Sequence, residues 1–287
     1  DLSVMNGSRP RPVPMVMGHE GAGEVVETGS SITDVAVGDH IVFQFSPSCG
    51  RCRRCLEGRP QVCEVAAVSK AAGDLMGGGR RLHDADGVAL AHHSGVSCFA
   101  EYAVADRGSV VVIDKDLPLD EAAIFGCAVM TGVGAVINTA RILPGDSVAV
   151  IGLGGVGLNG LLGAKLGGAE TIVAIDLSDE KLGLARQLGA THTVNATDPD
   201  HVQQVRDITN GGVDFAVDLA GYRRVVAQHG KIFIHSIESG RRGKIDQGQL
   251  YGQLRACAGY SPLHQPVPTG PVACRSPVKP TRRVRRH

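Results

Sequence analysis

The sequence predicts an α/β protein built from a small β-barrel followed by a doubly wound parallel sheet. Three observations carry this. From Gly18 to about Asp39, β-branched residues alternate with glycines, the signature of short strands and tight turns. From Ser147 to Leu219, strand-like and helix-like segments alternate. Near Gly221 the charge reverses, from 16 Lys and Arg against 27 Asp and Glu over residues 1–220 to 13 against 2 over residues 221–287.

The expected elements follow in chain order. Short strands run through Gly21, Gly23, Val25, Val35 and Val37 to Val42. A cysteine-rich loop spans Cys49 to Cys63, and a glycine-rich surface loop spans Gly73 to Arg81. Strand text returns at Cys98–Val104 and Val110–Ile113. From Glu121 the period turns helical through Ala122, Phe125, Met130 and Val133, and Pro144-Gly145-Asp146 forms a turn. Strands at 147–151, 171–175, 192–194 and 213–219 then alternate with helices at 156–166, 179–188 and after Pro199, and 230–236 reads as one more strand. The expected domains are 1–128, with a metal lobe at 49–63, then 129–236, then a basic Pro- and Arg-rich tail at 237–287 that reads as disordered.

Composition narrows the function classes. With 287 residues and 43% hydrophobic content, the chain can fill two cores. No run of about 18 apolar residues suggests a membrane span, and no secretory leader is visible. Eight cysteines without a leader point to thiols kept reduced in the cytoplasm, where clustered cysteines bind metal more often than they pair. The first residue, Asp1, suggests that a preceding segment is missing.

Cys49, Cys52, Cys55 and Cys63 are spaced C-x2-C-x2-C-x7-C. Four thiolates can close a tetrahedral shell around Zn²⁺ and leave no open position, which makes such a site structural. Arg51, Arg53 and Arg54 are expected to offset their charge. Unrelated surface cysteines, or an iron–sulfur site with a shorter last gap, are the competing readings.

Gly152-Leu153-Gly154-Gly155-Val156-Gly157 matches G-x-G-x-x-G after an expected strand and at the start of an expected helix. There, backbone N–H groups can approach a pyrophosphate at the helix N-terminus. Asp176, 24 residues after Gly152, stands where an acid would hold the ribose hydroxyls and repel a 2′-phosphate, favouring NAD over NADP. A glycine turn serving only helix–strand packing is the competing reading. Gly18-His19-Glu20 and Cys127 are weaker signals; taken alone, His19 is more often a packed imidazole and Cys127 a small buried apolar residue.

Taken together, residues 1–220 resemble the zinc-dependent medium-chain alcohol dehydrogenases, in the two-zinc, class III-like branch. The resemblance implies a GroES-like catalytic barrel and a Rossmann-type nucleotide domain, each incomplete. It implies catalytic-zinc ligands at His19 and Cys127, with Glu20 beside the metal as the candidate third ligand, and a structural zinc on Cys49, Cys52, Cys55 and Cys63. Thr131 and Val156 would line the nicotinamide, and Lys181 would lie beside Asp176 at the adenosine ribose. Asp1 would orient the His19 ring. The family's third ligand, a cysteine, would precede Asp1, and Ser3 stands where many members carry a relay histidine. The text after Gly221 departs from the family, as a shifted reading frame or an unrelated fusion would.

The implied function is NAD-linked hydride transfer between primary alcohols, including S-hydroxymethyl thiol adducts, and aldehydes. The alternative is a catalytically impaired zinc- and nucleotide-binding fragment. The expected partners are small alcohols and aldehydes, with no nucleic acid and no membrane, and relatives are homo-oligomers. A nucleic-acid role resting on Arg282, Arg283, Arg285 and Arg286 is the remaining rival.

Overall fold

The computed structural model describes residues 1–7, 9–219, 231–234 and 270–275, the 231–234 segment by its backbone alone. Two compact units divide after Cys127, and the 270–275 segment belongs to the first.

The first unit is built on a five-stranded sheet. Tyr102–Asp106 pairs with Pro271–Arg275, which pairs with Ala22–Thr28; His40–Phe43 and Val110–Ile113 follow. Alternate residues of these strands fill one core: Val25, Ile41, Phe43, Ala103, Ala105, Val110, Val272 and Cys274. Burying a side chain such as Val or Ile is worth about 1.5–3 kcal/mol, so the pattern specifies the register as well as the stability. A smaller three-stranded sheet joins Met15–Val16, Ala89–His92 and Leu82–His83.

The strand Pro271–Arg275 corrects the expectation of a core-free tail over 237–287. Val272 and Cys274 are fully buried, and the strand hydrogen-bonds to a neighbour on each side. Pro271 is tolerated because it is the strand's first residue. The rest of the expected tail, including the arginines from Arg282 to Arg286, lies outside the described residues.

Two further differences concern local structure. Helix Glu64–Ala72 follows the cysteine loop where no helix was expected, started by Cys63 as its N-cap. The strand expected at Cys98–Val104 begins later, at Tyr102. Ser97 takes a left-handed backbone (φ 57°), and the next residues bond to another segment, Cys98 N–H to Gly18 O and Phe99 N–H to Met17 O.

The second unit carries a parallel sheet in the spatial order His192–Asn195, Thr171–Asp176, Ser147–Ile151, Phe215–Asp218, Lys231–Ile234. The strand expected at 230–236 is thus present at 231–234. Helices Gly155–Leu166 and Asp179–Leu188 cover one face through Leu161, Ala164, Leu182 and Ala185 against Val148, Val150, Ile172 and Ala174. Helix His201–Ile208 covers the other through Val205 against Ile151, Val173, Ile175 and Val194. Strands buried on both faces read as near-continuous Val/Ile/Ala runs, which is why they were legible. Counting outward from 147–151, the order reverses direction between that strand and 215–218, the position where such sheets bind ligands at their carboxyl ends.

Candidate metal centres and nucleotide loop

The four cysteines converge. Cys52 Sγ lies 3.5 Å from Cys55 Sγ and 3.8 Å from Cys63 Sγ, and all four sulfurs fall within 4.8 Å of one another. Zinc–sulfur bonds of about 2.3 Å in a tetrahedron set an S···S edge of about 3.8 Å, so the donor set fits Zn²⁺. Backbone N–H groups support the sulfurs: Cys49 N–H and Ala66 N–H point to Cys63 Sγ, and Cys52 N–H points to Cys49 Sγ. Cys63 caps the helix Glu64–Ala72, whose positive end favours a thiolate.

These surroundings act unequally. Burial pushes the Cys52 thiol up, but N–H groups of Cys55 and Glu64 and the neighbouring thiols outweigh it and bring it down to about 6. Burial pushes the Cys55 and Cys63 thiols up. Four thiolates crowded together need a dication among them. Of the arginines expected to offset this charge, Arg53 and Arg54 bond to Glu57, at 2.7 and 3.3 Å, rather than to the sulfurs.

His19 is fixed by its neighbours in the chain. The Gly18–Cys98 and Met17–Phe99 backbone bonds hold the segment that carries it. Asp1 Oδ1 lies 3.2 Å from His19 Nδ1, the contact the resemblance implied. The ring meets Phe45 edge-on at 6.1 Å and His93 at 5.3 Å. Burial lowers the His19 pKa, against the opposing pull of Glu20, and so favours the neutral imidazole that binds metals. Glu20 is half-buried, and its carbonyl accepts from the Cys98 thiol.

Cys127 follows a tight turn over 123–126 and stays partly exposed. Gly126 is required there because a Cβ would stand 1.7 Å from the Phe43 carbonyl oxygen, so the backbone presses against the end of the 40–43 strand. Lys70 links the two electrostatically: its charge helps to lower the His19 pKa, and Cys127 acts to raise that of Lys70.

Two residues at this centre escaped the sequence reading. Lys70 donates to the Phe45 carbonyl at 2.9 Å and sits over the Phe45 ring; burial, then Arg11 and Arg9, bring its pKa down to about 8. His93 is buried, with Nδ1 3.1 Å from Asp1 Oδ1. Its backbone N–H donates to Ser97 Oγ at 2.8 Å, and that hydroxyl donates to Val16 O at 2.7 Å, tying His93 to the segment that leads to His19. The adjacent pair His92-His93 was the one visible signal, and it carried no metal-ligand spacing.

In the second unit, the loop Gly152–Gly154 joins the 147–151 strand to helix Gly155–Leu166, as the glycine spacing implied. Gly152 adopts φ 84°, and a Cβ on Gly157 would lie 1.7 Å from Gly152 O, so the helix's first turn folds directly onto the loop. Asp176, at the end of the next strand, accepts from Leu153 N–H at 2.7 Å and Ser178 N–H at 3.0 Å, with Lys181 Nζ at 3.8 Å. Burial raises its pKa, but these donors outweigh it and leave the carboxylate below its usual range. Helices Ala128–Gly134 and Gly155–Leu166 pack closely, with Gly132 against the Val156 carbonyl, so Thr131 lies one residue from that contact. The N–H groups at the start of a 12-residue helix, with an acid beside them, suit a dinucleotide.

Comparison with known proteins agrees with this geometry. Residues 1–115 match the model for the alcohol dehydrogenase GroES-like domain, and residues 155–240 match that for zinc-binding dehydrogenase. The S-(hydroxymethyl)glutathione dehydrogenase of Saccharomyces cerevisiae is 40% identical over 232 residues, 79% of this chain and 60% of that protein. The chain spans about three fifths of the length of the curated relatives it matches. An alcohol dehydrogenase zinc-binding domain protein from Burkholderia ambifaria superposes with a TM-score of 0.79 at 35% identity, covering 87% of this chain and 70% of that one. Benzyl alcohol dehydrogenase from Acinetobacter calcoaceticus gives 0.75 at 34%, with the same coverage. A carboxylate-oriented histidine, a four-cysteine lobe and a glycine loop closed by an acid, in this order and on these two folds, agree with the comparisons, which show that the chain belongs to the zinc-dependent alcohol dehydrogenase family.

Proposed function

We propose that this chain carries out NAD-linked hydride transfer between primary alcohols, S-hydroxymethyl thiol adducts among them, and aldehydes. The observation that supports it most directly is Asp176, a half-buried carboxylate at the end of the second strand of the parallel sheet, bonded to the glycine loop. An acid there accepts ribose hydroxyls and repels a 2′-phosphate, so NAD is favoured over NADP. The thiol-adduct class rests on relatives named S-(hydroxymethyl)glutathione dehydrogenases.

Each residue then has a role. The N–H groups opening the helix from Gly155 bind the pyrophosphate, and Gly152, Gly154 and Gly157 let it approach. Lys181 sits at the adenosine ribose, and Thr131 and Val156 pack on the nicotinamide. His19 and Cys127 hold the catalytic metal beside Glu20, while Asp1 fixes the His19 ring. Cys49, Cys52, Cys55 and Cys63 hold the structural zinc. When bound, the catalytic zinc supplies Lewis acidity that lowers the alcohol's pKa, and the dinucleotide supplies the hydride acceptor. Unpaired thiols in the lobe suit a reducing compartment such as the cytoplasm. Among the described residues no single helix is long and apolar enough to cross a membrane.

The test is NAD reduction, followed at 340 nm, by the zinc-loaded chain with primary alcohols and with formaldehyde plus a thiol. Turnover with NAD well above that with NADP supports the reading. Zinc and NAD bound without turnover on any of these substrates overturns it.

A further inference from the structure

We propose that Arg9, Arg11 and Lys70 form an oxyanion subsite beside the candidate catalytic centre, so that the preferred alcohols and aldehydes carry a carboxylate or phosphate at the end away from the reacting carbon. The inference rests on the reading of His19 and Cys127 as that centre and names which of its substrates bind best.

The fold brings the three cations together. Lys70 lies on helix Glu64–Ala72, which ends at Gly73 in a left-handed backbone (φ 73°). A Cβ on Gly73 would stand 3.6 Å from Pro12 Cβ, so the helix end packs on the stretch that carries Arg9 and Arg11. That stretch is stiff. Arg9 and Arg11 each precede a proline, which holds them extended, and residues two apart in extended chain face the same way. The Arg9 N–H bonds to Ser3 O at 2.7 Å and the Ala91 N–H to Pro14 O at 2.8 Å, which pins the stretch on both sides.

Their place is one aromatic ring away from His19. The Phe45 ring meets the His19 ring edge-on at 6.1 Å, and Lys70 Nζ stands 5.3 Å from the centroid of the same Phe45 ring. The charges agree with this placement. Beyond the effect of burial, Lys70 and Arg9 both act on His19, and Arg11 and Arg9 both act on Lys70, with Cys127 opposing them.

What these cations lack is an anion. All three are half-buried, and among the described residues none of them forms an ion pair. Lys70 Nζ donates to a neutral carbonyl, that of Phe45, while Asp1 faces the two imidazoles and Asp74 is held by Arg80. Like charges crowded in a half-buried place repel one another, and an incoming anion relieves that repulsion. Guanidinium forks match the paired oxygens of a carboxylate or phosphate, and the lysine adds a point charge. A substrate whose hydroxyl reaches the His19 centre and whose oxyanion reaches these cations lays its carbons along the Phe45 ring.

The test separates binding from turnover. Hexanoate and butyl phosphate, which cannot react, are titrated calorimetrically into the zinc-loaded chain beside neutral hexanamide. At least one anion should bind at least tenfold more tightly than the amide, and the tighter of the two names the group. Lys70→Met and Arg11→Gln should each weaken that anion at least tenfold, and Lys70→Arg and Arg11→Lys should keep most of its binding. Arg11→Glu should turn the preference toward hexylamine. The four-cysteine zinc, counted in each variant, controls for folding. In turnover with NAD, terminally hydroxylated hexanoate should exceed its amide in kcat/KM, chiefly through KM. Hexanamide bound as tightly as both anions overturns the proposal, and so does an anion preference that survives both Lys70→Met and Arg11→Gln. Anion preference without any turnover leaves the subsite standing and sinks the hydride-transfer reading.

Discussion

The Asp176 carboxylate accepts the backbone N–H of Leu153 at 2.7 Å, so the acid expected to face the ribose also closes the loop expected to face the pyrophosphate. One side chain therefore couples loop geometry to nucleotide choice, and changes to it should move both.

Replacing Asp176 by Asn should destabilise the second unit by about 1.5–3 kcal/mol, the range for a hydrogen bond to a charged group, because the side chain is only 11% exposed. The Lys181 pair adds little, since Lys181 is half exposed. The carboxylate's pKa is lowered in the folded state from 3.8. Its contribution is thus complete above that value and fades as pH falls through the lower, folded one. Urea midpoints of wild type and variant should differ at pH 7 and converge toward pH 2. In NAD and NADP titrations of the variant, the preference for NAD should shrink.

Gly157→Ala should be more damaging than an ordinary helix substitution. The added methyl would meet Gly152 O at 1.7 Å, so the loop must move, at a cost of about 3 kcal/mol. Thermal melting and NAD titration should report lower stability together with lost affinity. A variant that melts like the wild type and binds normally would contradict the close packing.

Cys52→Ser should remove one zinc per chain in native mass spectrometry. It should also loosen helix Glu64–Ala72, since the lobe ends in that helix's cap at Cys63. Faster amide exchange at residues 64–72 is the expected sign. Acid should release the same zinc from the wild type, because protons compete for the four sulfurs.

Val272→Ala should cost about 2 kcal/mol, as its side chain is fully buried between two strands. Ending the chain after residue 263 should expose the edges of 22–28 and 102–106 and promote association. The melting of the second unit should change little. Differential scanning calorimetry with light scattering separates these effects.

Legibility in the sequence followed the range of the interactions. The second unit was readable because each strand and helix carries its own period, and the glycine spacing announces the loop before any contact is known. The four cysteines were readable for the same reason, all lying within one short stretch. His93 was not, because its meaning depends on Asp1, Ser97 and Val16, which only the fold brings near. Helix 64–72 was missed because it follows directly on the cysteine loop and is capped by Cys63, so no Ser, Thr, Asp or Asn announces its start. The 271–275 strand was hidden by prolines on either side, whose composition outweighed five residues of alternation. Cys127 was legible as a candidate only through resemblance, and the turn at Gly126 that presents it rests on a backbone contact with Phe43.

The strand Pro271–Arg275 also bears on how the protein is made. Its partners, 22–28 and 102–106, leave the ribosome long before it does, while the whole second unit is synthesised in between. The parallel sheet can fold as soon as its own strands emerge, but the first sheet waits, with the facing edges of 22–28 and 102–106 unpaired, for the strand that joins them. High contact order of this kind slows folding and leaves sticky intermediates open to chaperones. The unit translated first is therefore the one completed last.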